Sequence, residues 1–128
     1  MSAVIEGKSL GAYAVAEDGS SVRFELRDRS GRTTAIELPA ECVSALIMTL
    51  PGIMEQAIRR RYRDISRRLV FPANEWTLEL AADNRTLIMG LATPDGFKVA
   101  FALSEATCQE LGEALSDGAE QRPARSLQ

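Results

Sequence analysis

Between Ile58 and Leu69 the chain reads IRRRYRDISRRL, which sets six arginines, Arg59, Arg60, Arg61, Arg63, Arg67 and Arg68, against one carboxylate, Asp64. The chemistry open to such a run is anion recognition. A guanidinium is planar, always charged, and presents a fork of N–H donors that matches the oxygens of carboxylates and phosphates. Residues 59–68 carry +5, six Arg less one Asp, in a chain of 128 residues whose formal net charge is −3. The remaining residues therefore carry −8, with 9 of the 15 basic and 17 of the 18 acidic side chains. Charge is segregated along the chain rather than spread over it.

Placed on a wheel at helical spacing, Met54, Ile58, Tyr62, Ile65 and Leu69 fall on one narrow apolar stripe, and Arg59, Arg60, Arg63 and Arg67 fall opposite it. The reading is a helix over residues 53–69, anchored by the stripe and offering Arg59, Arg60, Arg63 and Arg67 as binding residues. A plainer reading is a solvated helix face, since arginine favours helix and each cation near a helix C-terminus gains ~0.3–1 kcal/mol from the macrodipole. If the face does bind, the first candidate is an acidic protein partner. Nucleic acid ranks lower: the pI is about 5.0, and the aromatics, 5% of the chain, are needed for the core rather than for stacking on bases. A membrane surface is not expected as the partner.

Other chemistries lack their residues. There is no histidine, which removes the commonest general base and metal ligand. Cys42 and Cys108 form no CxxC pair and are expected to be small buried thiols. Gly7-Lys8-Ser9 ends like a phosphate-binding loop, but Ser2 stands where its first glycine belongs and no strand precedes it. Glu17/Asp18 and Glu105/Glu110 suit turns and helix surfaces, and no spaced set of oxygen ligands supports a calcium loop. The expectation is no catalytic residue, no metal site and no cofactor.

The elements that must position these side chains come from a duplication. An ungapped offset of 65 lays residues 10–50 over 75–115, bringing Leu26 onto Leu91, Gly31 onto Gly96, Leu38 onto Leu103 and Leu50 onto Leu115. Both copies call for two hairpins. Asp18-Gly19 and Asp83-Asn84 suit two-residue type I′ loops, and Arg29-Ser30-Gly31 and Pro94-Asp95-Gly96 suit three-residue loops ending on a left-handed glycine. These loops pair Val15 with Val22, Tyr13 with Phe24, Phe24 with Ile36 and Leu26 with Thr34. In the second copy they pair Leu80 with Leu87, Leu78 with Met89, Trp76 with Leu91, Met89 with Phe101 and Leu91 with Val99. Every pairing then puts apolar residues on one common face, which a slip of one residue would destroy.

After each meander the apolar period lengthens to that of a helix, with Pro39 at a first helical position and Ser104 as N-cap. Leu38, Leu46, Leu50, Leu103, Leu111 and Leu115 complete the predicted core. The fold class is α+β: a tandem duplication of a βββα unit, with antiparallel meanders forming a sheet, helices on one face, and an extra helix after the first repeat, separated from it by a break at Pro51-Gly52. The predicted organisation is a segment 1–9, one domain 10–117 with repeat one at 10–50 and repeat two at 75–115, and a disordered tail 118–128.

The outward faces differ between copies. Copy one alternates Arg23, Glu25, Arg27, then Thr33, Ala35, Glu37, as a wet face should. Copy two offers Ala81, Ile88, Gly90, Ala92, Ala100 and Ala102, small and apolar where polar residues belong, and these six are the predicted interface of a homodimer. The start, MSAVIEGKSLG, lacks the basic and apolar regions of a secretory signal, and no apolar run is long enough to span a bilayer, so a cytoplasmic protein is expected.

Overall fold

Alternating side chains and left-handed turn residues lay out the strands as the pattern requires. The computed structural model describes residues 3–121, and its contacts divide the chain into two compact units, Met1–Leu69 and Val70–Gln128. The first unit runs β1 (Gly7–Val15), β2 (Ser21–Asp28), β3 (Thr33–Pro39), α1 (Ala40–Tyr62). The second runs β4 (Glu75–Leu80), β5 (Leu87–Ala92), β6 (Lys98–Leu103), α2 (Glu105–Gln121). Each unit is an antiparallel three-stranded meander followed by a helix, so the tandem βββα order holds. The strands form two sheets, ordered β1-β2-β3 and β4-β5-β6, rather than one of six.

Register follows the apolar alternation in both units. Val15 faces Val22, Tyr13 faces Phe24, Phe24 faces Ile36 and Leu26 faces Thr34. Trp76 faces Leu91, Leu78 faces Met89, Leu80 faces Leu87, Met89 faces Phe101 and Leu91 faces Val99. β1 starts at Gly7, inside the expected leading segment, and bulges between Gly7 and Ser9 and between Leu10 and Tyr13. Gly7-Lys8-Ser9 is thus strand, not a phosphate loop.

The first hairpin turns differ from the expected type I′. Only Gly19 (φ 72°) and Asn84 (φ 59°) are left-handed there, whereas type I′ needs two such residues. The ladder instead closes at Ala16–Ser21 and Ala81–Thr86, leaving four-residue tips. Side chains explain the choice: Asp18 Oδ1 accepts Ser20 N–H at 3.0 Å and Ser20 Oγ–H at 2.7 Å, and Asp83 Oδ1 accepts the N–H groups of Arg85 and Thr86 at 2.9 Å each. The register survives because the shorter and longer tips share one centre. The second hairpins are three-residue loops closed by Gly31 (φ 89°) and Gly96 (φ 97°). At their bases the duplicated structure outlasts a change of residue: Asp28 Oδ1 accepts Arg32 N–H at 3.0 Å, and 65 positions on Thr93 Oγ1 accepts Phe97 N–H at 3.1 Å.

The helices depart furthest from expectation. Pro51 does not divide two helices; it lies inside α1, whose 23 residues run unbroken to Tyr62. A proline's fixed φ is helical, so its cost is confined to a missing N–H and crowding of the carbonyl one turn earlier, that of Ile47. Pro39 is the N-cap, still extended at ψ 153°, and Ser104 caps α2 by accepting Thr107 N–H on Oγ at 3.2 Å. α2 continues to Gln121, so residues 118–121 are helical rather than tail; the rest of the expected tail lies outside the described residues.

No apolar side chain among the described residues is fully buried. Val22, Phe24, Leu26, Ile36, Leu38, Leu87, Met89, Val99, Leu103 and Leu111 are half-buried, while Tyr13, Val15, Leu46, Leu50, Trp76, Leu78, Leu80, Leu91, Phe101 and Leu115 are exposed. The predicted core is therefore aligned but not closed. α1 meets its own sheet mainly near the strands that feed it, β2 and β3, and α2 meets only β6 to any extent. Neither helix folds back across its meander, so the large-residue faces are not covered by their own units.

Candidate functional site

The arginine run begins on the last turn of α1 and continues beyond it. α1 stops at Tyr62 because Arg63 takes the left-handed conformation (φ 50°, ψ 44°). Arg63 N–H donates to the Arg60 carbonyl at 3.4 Å and Asp64 N–H to the Arg59 carbonyl at 3.0 Å, the paired bonds of a Schellman cap. The Asp64 carboxylate then folds the following residues by accepting Ser66 N–H at 2.9 Å and Ser66 Oγ–H at 2.6 Å. The predicted helix over 53–69 thus ends seven residues early, and Arg59, Arg60, Arg63 and Arg67 do not share a helical face. Arg59 and Arg60 are helical, Arg63 is the cap, and Arg67 lies past it. Ile65, assigned to the anchoring stripe, is 90% exposed.

Two of the four arginines have inward partners. Arg59 binds Glu55 Oε1 through Nη2 at 2.7 Å and donates from Nε to the Arg67 carbonyl at 2.9 Å. Arg67 sets Nε 3.7 Å from Asp64 Oδ2 and lays its guanidinium over the Tyr62 ring, Cζ to centroid 4.5 Å, within cation–π range. Arg61 approaches the same ring at 5.9 Å. Hydrogen bonds from the Ser66 hydroxyl and N–H, reinforced by the Arg67 charge, lower the pKa of Asp64 below the usual aspartate value. The residues left over are Arg60, Arg63 and Arg68, all exposed and, among the described residues, in no ion pair. They are exposed guanidiniums beside a hydrogen-bonded cap.

Sequence reasoning passed over the cap, although a signal was present. Asp64-Ile65-Ser66 repeats the Asp-x-Ser pattern of Asp18-Gly19-Ser20 and Asp28-Arg29-Ser30, and all three fold the same way, the aspartate accepting the serine N–H and hydroxyl. It placed α2 and its Ser104 cap but not the one-sided charge of that helix, which carries Glu105, Glu110, Glu113, Asp117 and Glu120 and no basic residue.

Five of the six predicted interface residues of the second unit lie in β5 and β6 on one face. Ile88 faces Ala102, Gly90 faces Ala100, and Ala92 lies between Glu75 and Lys98; Ala81 follows β4 at the turn. Ala81, Ile88 and Ala92 are half-buried, Gly90 is buried, and Ala100 and Ala102 are exposed. Thr77 lies against Gly90, whose added Cβ would stand 2.6 Å from Thr77 Oγ1. Cys42 is exposed and Cys108 half-buried, not the buried thiols expected, because the helices that carry them are unpacked. Among the described residues no three acidic or sulfur side chains gather as metal ligands, and no helix is long and apolar enough to cross a membrane.

No known protein family, curated protein or solved structure matches this chain.

Proposed function

We propose that this chain is a non-catalytic binding or adaptor module, cytoplasmic and homodimeric, that contacts an acidic partner through the arginine segment ending α1. The supporting observation is the division of labour within that segment. Glu55, Asp64 and Tyr62 engage Arg59, Arg61 and Arg67, which leaves Arg60, Arg63 and Arg68 exposed beside a cap already ordered by hydrogen bonds. A partner meeting such a surface loses less free energy to ordering it than it would on a flexible basic tail.

The test is fluorescence anisotropy with a labelled Glu-rich peptide and with labelled single- and double-stranded oligonucleotides, at low and physiological salt. Wild type is compared with an Arg60/Arg63/Arg68→Glu variant whose fold is checked by circular dichroism. The reading expects peptide binding that the folded variant weakens by ~3- to 150-fold, three reversed charges at ~0.2–1 kcal/mol apiece. Preferential oligonucleotide binding that falls steeply with salt would instead identify a nucleic-acid binder gripping phosphates. No binding of either probe at low salt would leave the arginines as a solvated surface.

A further inference from the structure

Beyond its contacts with β2 and β3, α1 has an apolar stripe that its own unit leaves largely exposed. Val43, Leu46, Ile47, Leu50, Ile53 and Met54 recur at helical spacing, and Ile47 is still 66% exposed and Ile53 52%. The opposite half of the puzzle is in the same unit: the apolar face of β1–β3 holds Tyr13 at 74% and Val15 at 60% exposure. A sheet with one apolar face and a helix with one apolar stripe are the two layers of an α+β core, yet here they belong to one unit and meet only near β2 and β3. Their dimensions match. The 12 residues from Val43 to Met54 rise ~18 Å, which fits within the ~23–30 Å of strands seven to nine residues long.

The surface left open is large enough to matter. The chain exposes 11224 Å², whereas two separate globular units of half its 13.9 kDa would together expose only ~8,000 Å². Even if the nine residues outside the described range contributed ~1,500 Å² at the full rate of an extended chain, ~1,700 Å² per chain would remain in excess. That excess is shared by the two units, so roughly half of it, ~850 Å² per chain and ~1,700 Å² for a pair, belongs to the first unit, which is the standard size of a stable interface, about 1,200–2,000 Å².

We infer that a second copy of this chain covers the first unit, the α1 stripe of each copy lying across the β1–β3 face of the other. Exchange of an identical element between protomers closes both cores with one symmetric contact and leaves no unmatched half. This inference rests on the homodimer of the reading above but not on its arginine segment, so the anisotropy result stands or falls separately. The contact is apolar and differs in kind from an attraction between the arginine segment and the acidic α2.

Sedimentation equilibrium of the full chain tests it, at micromolar concentration and at low and high salt. Wild type should weigh twice the 13.9 kDa chain mass. Ile47→Glu, Ile53→Glu and Tyr13→Glu should each weaken dimerisation by at least ~10-fold, from the loss of a buried apolar side chain. Met48→Glu, the same change at an 82% exposed residue off the stripe, should stay within ~3-fold of wild type. Should the stripe variants not fold, urea unfolding of wild type and Met48→Glu carries the test, because the midpoint of an obligate dimer rises with protein concentration. A monomeric wild type with a concentration-independent midpoint overturns the inference. So does a dimer indifferent to all three stripe and sheet variants, or one dissolved by salt alone.

Discussion

Arg63 ends α1 in a conformation that L-residues avoid, and substituting it isolates that strain. Left-handed backbone costs a residue with a Cβ roughly 1–2 kcal/mol, and glycine escapes this while losing about 0.5–1 kcal/mol in unfolded-state entropy. Arg63→Gly should therefore be about 0.5–1 kcal/mol more stable than Arg63→Ala, which likewise lacks the guanidinium but keeps the Cβ at φ 50°. Using alanine as reference removes the macrodipole contribution of the charge from both sides. For a cooperative unit of 60–100 residues this corresponds to roughly 2–8 °C in Tm. Thermal and urea unfolding of the two variants at one fixed protein concentration provide the measurement. An alanine variant equal to or more stable than the glycine variant would refute the reasoning, since the cap would then not be left-handed or not be strained.

Two further substitutions and a pH series probe the second unit and the turns. Gly90→Ala should cost about 1–3 kcal/mol by crowding Thr77, and Thr77→Ala in the same chain should recover most of it; a cycle with no coupling in urea unfolding would contradict the packing. Asp18, Asp28, Asp64 and Asp95 are held below the usual aspartate pKa chiefly by neighbouring serine or threonine hydroxyls, and Asp83 chiefly by the Thr86 N–H. A lowered folded-state pKa adds stability above the unfolded value that is lost as pH falls through the folded value. Unfolding free energy should thus be level above about pH 5 and fall below it, less steeply in Asp28→Asn and Asp83→Asn; slopes parallel to wild type would argue against the turn bonds.

The strands and their register were legible because two independent signals agreed. Alternation chose the face of Phe24, Met89 and Leu91, and the glycines at 31 and 96 fixed the second loops at three residues. The first turns were half legible: Asp18 and Asp83 were recognised as turn residues, but their side-chain bonds to Ser20, Arg85 and Thr86 set the tip. The end of α1 was misplaced twice, for physical reasons. Pro51 penalises a helix without forbidding it, and the true stop uses an arginine where glycine or asparagine would have flagged it. The wheel carried past Tyr62 then grouped Arg63 and Arg67 with residues whose geometry they do not share. Closure of the core was not legible from alternation, because a pattern states which side chains seek burial and not which surface supplies it.

The four outer strands of the two meanders are unequally guarded against adding a further strand. β1 is bent by bulges, β3 ends on Pro39, and β4 carries Glu75 and Glu79, all devices that discourage edge-to-edge aggregation. β6 has only Lys98 at its start; Val99-Ala100-Phe101-Ala102-Leu103 is regular, uncharged and proline-free at the rim of its sheet. Duplication reproduced the meander without reproducing its safeguards. That short stretch is the least protected edge of the two sheets, the place where a further strand could add with the fewest obstacles.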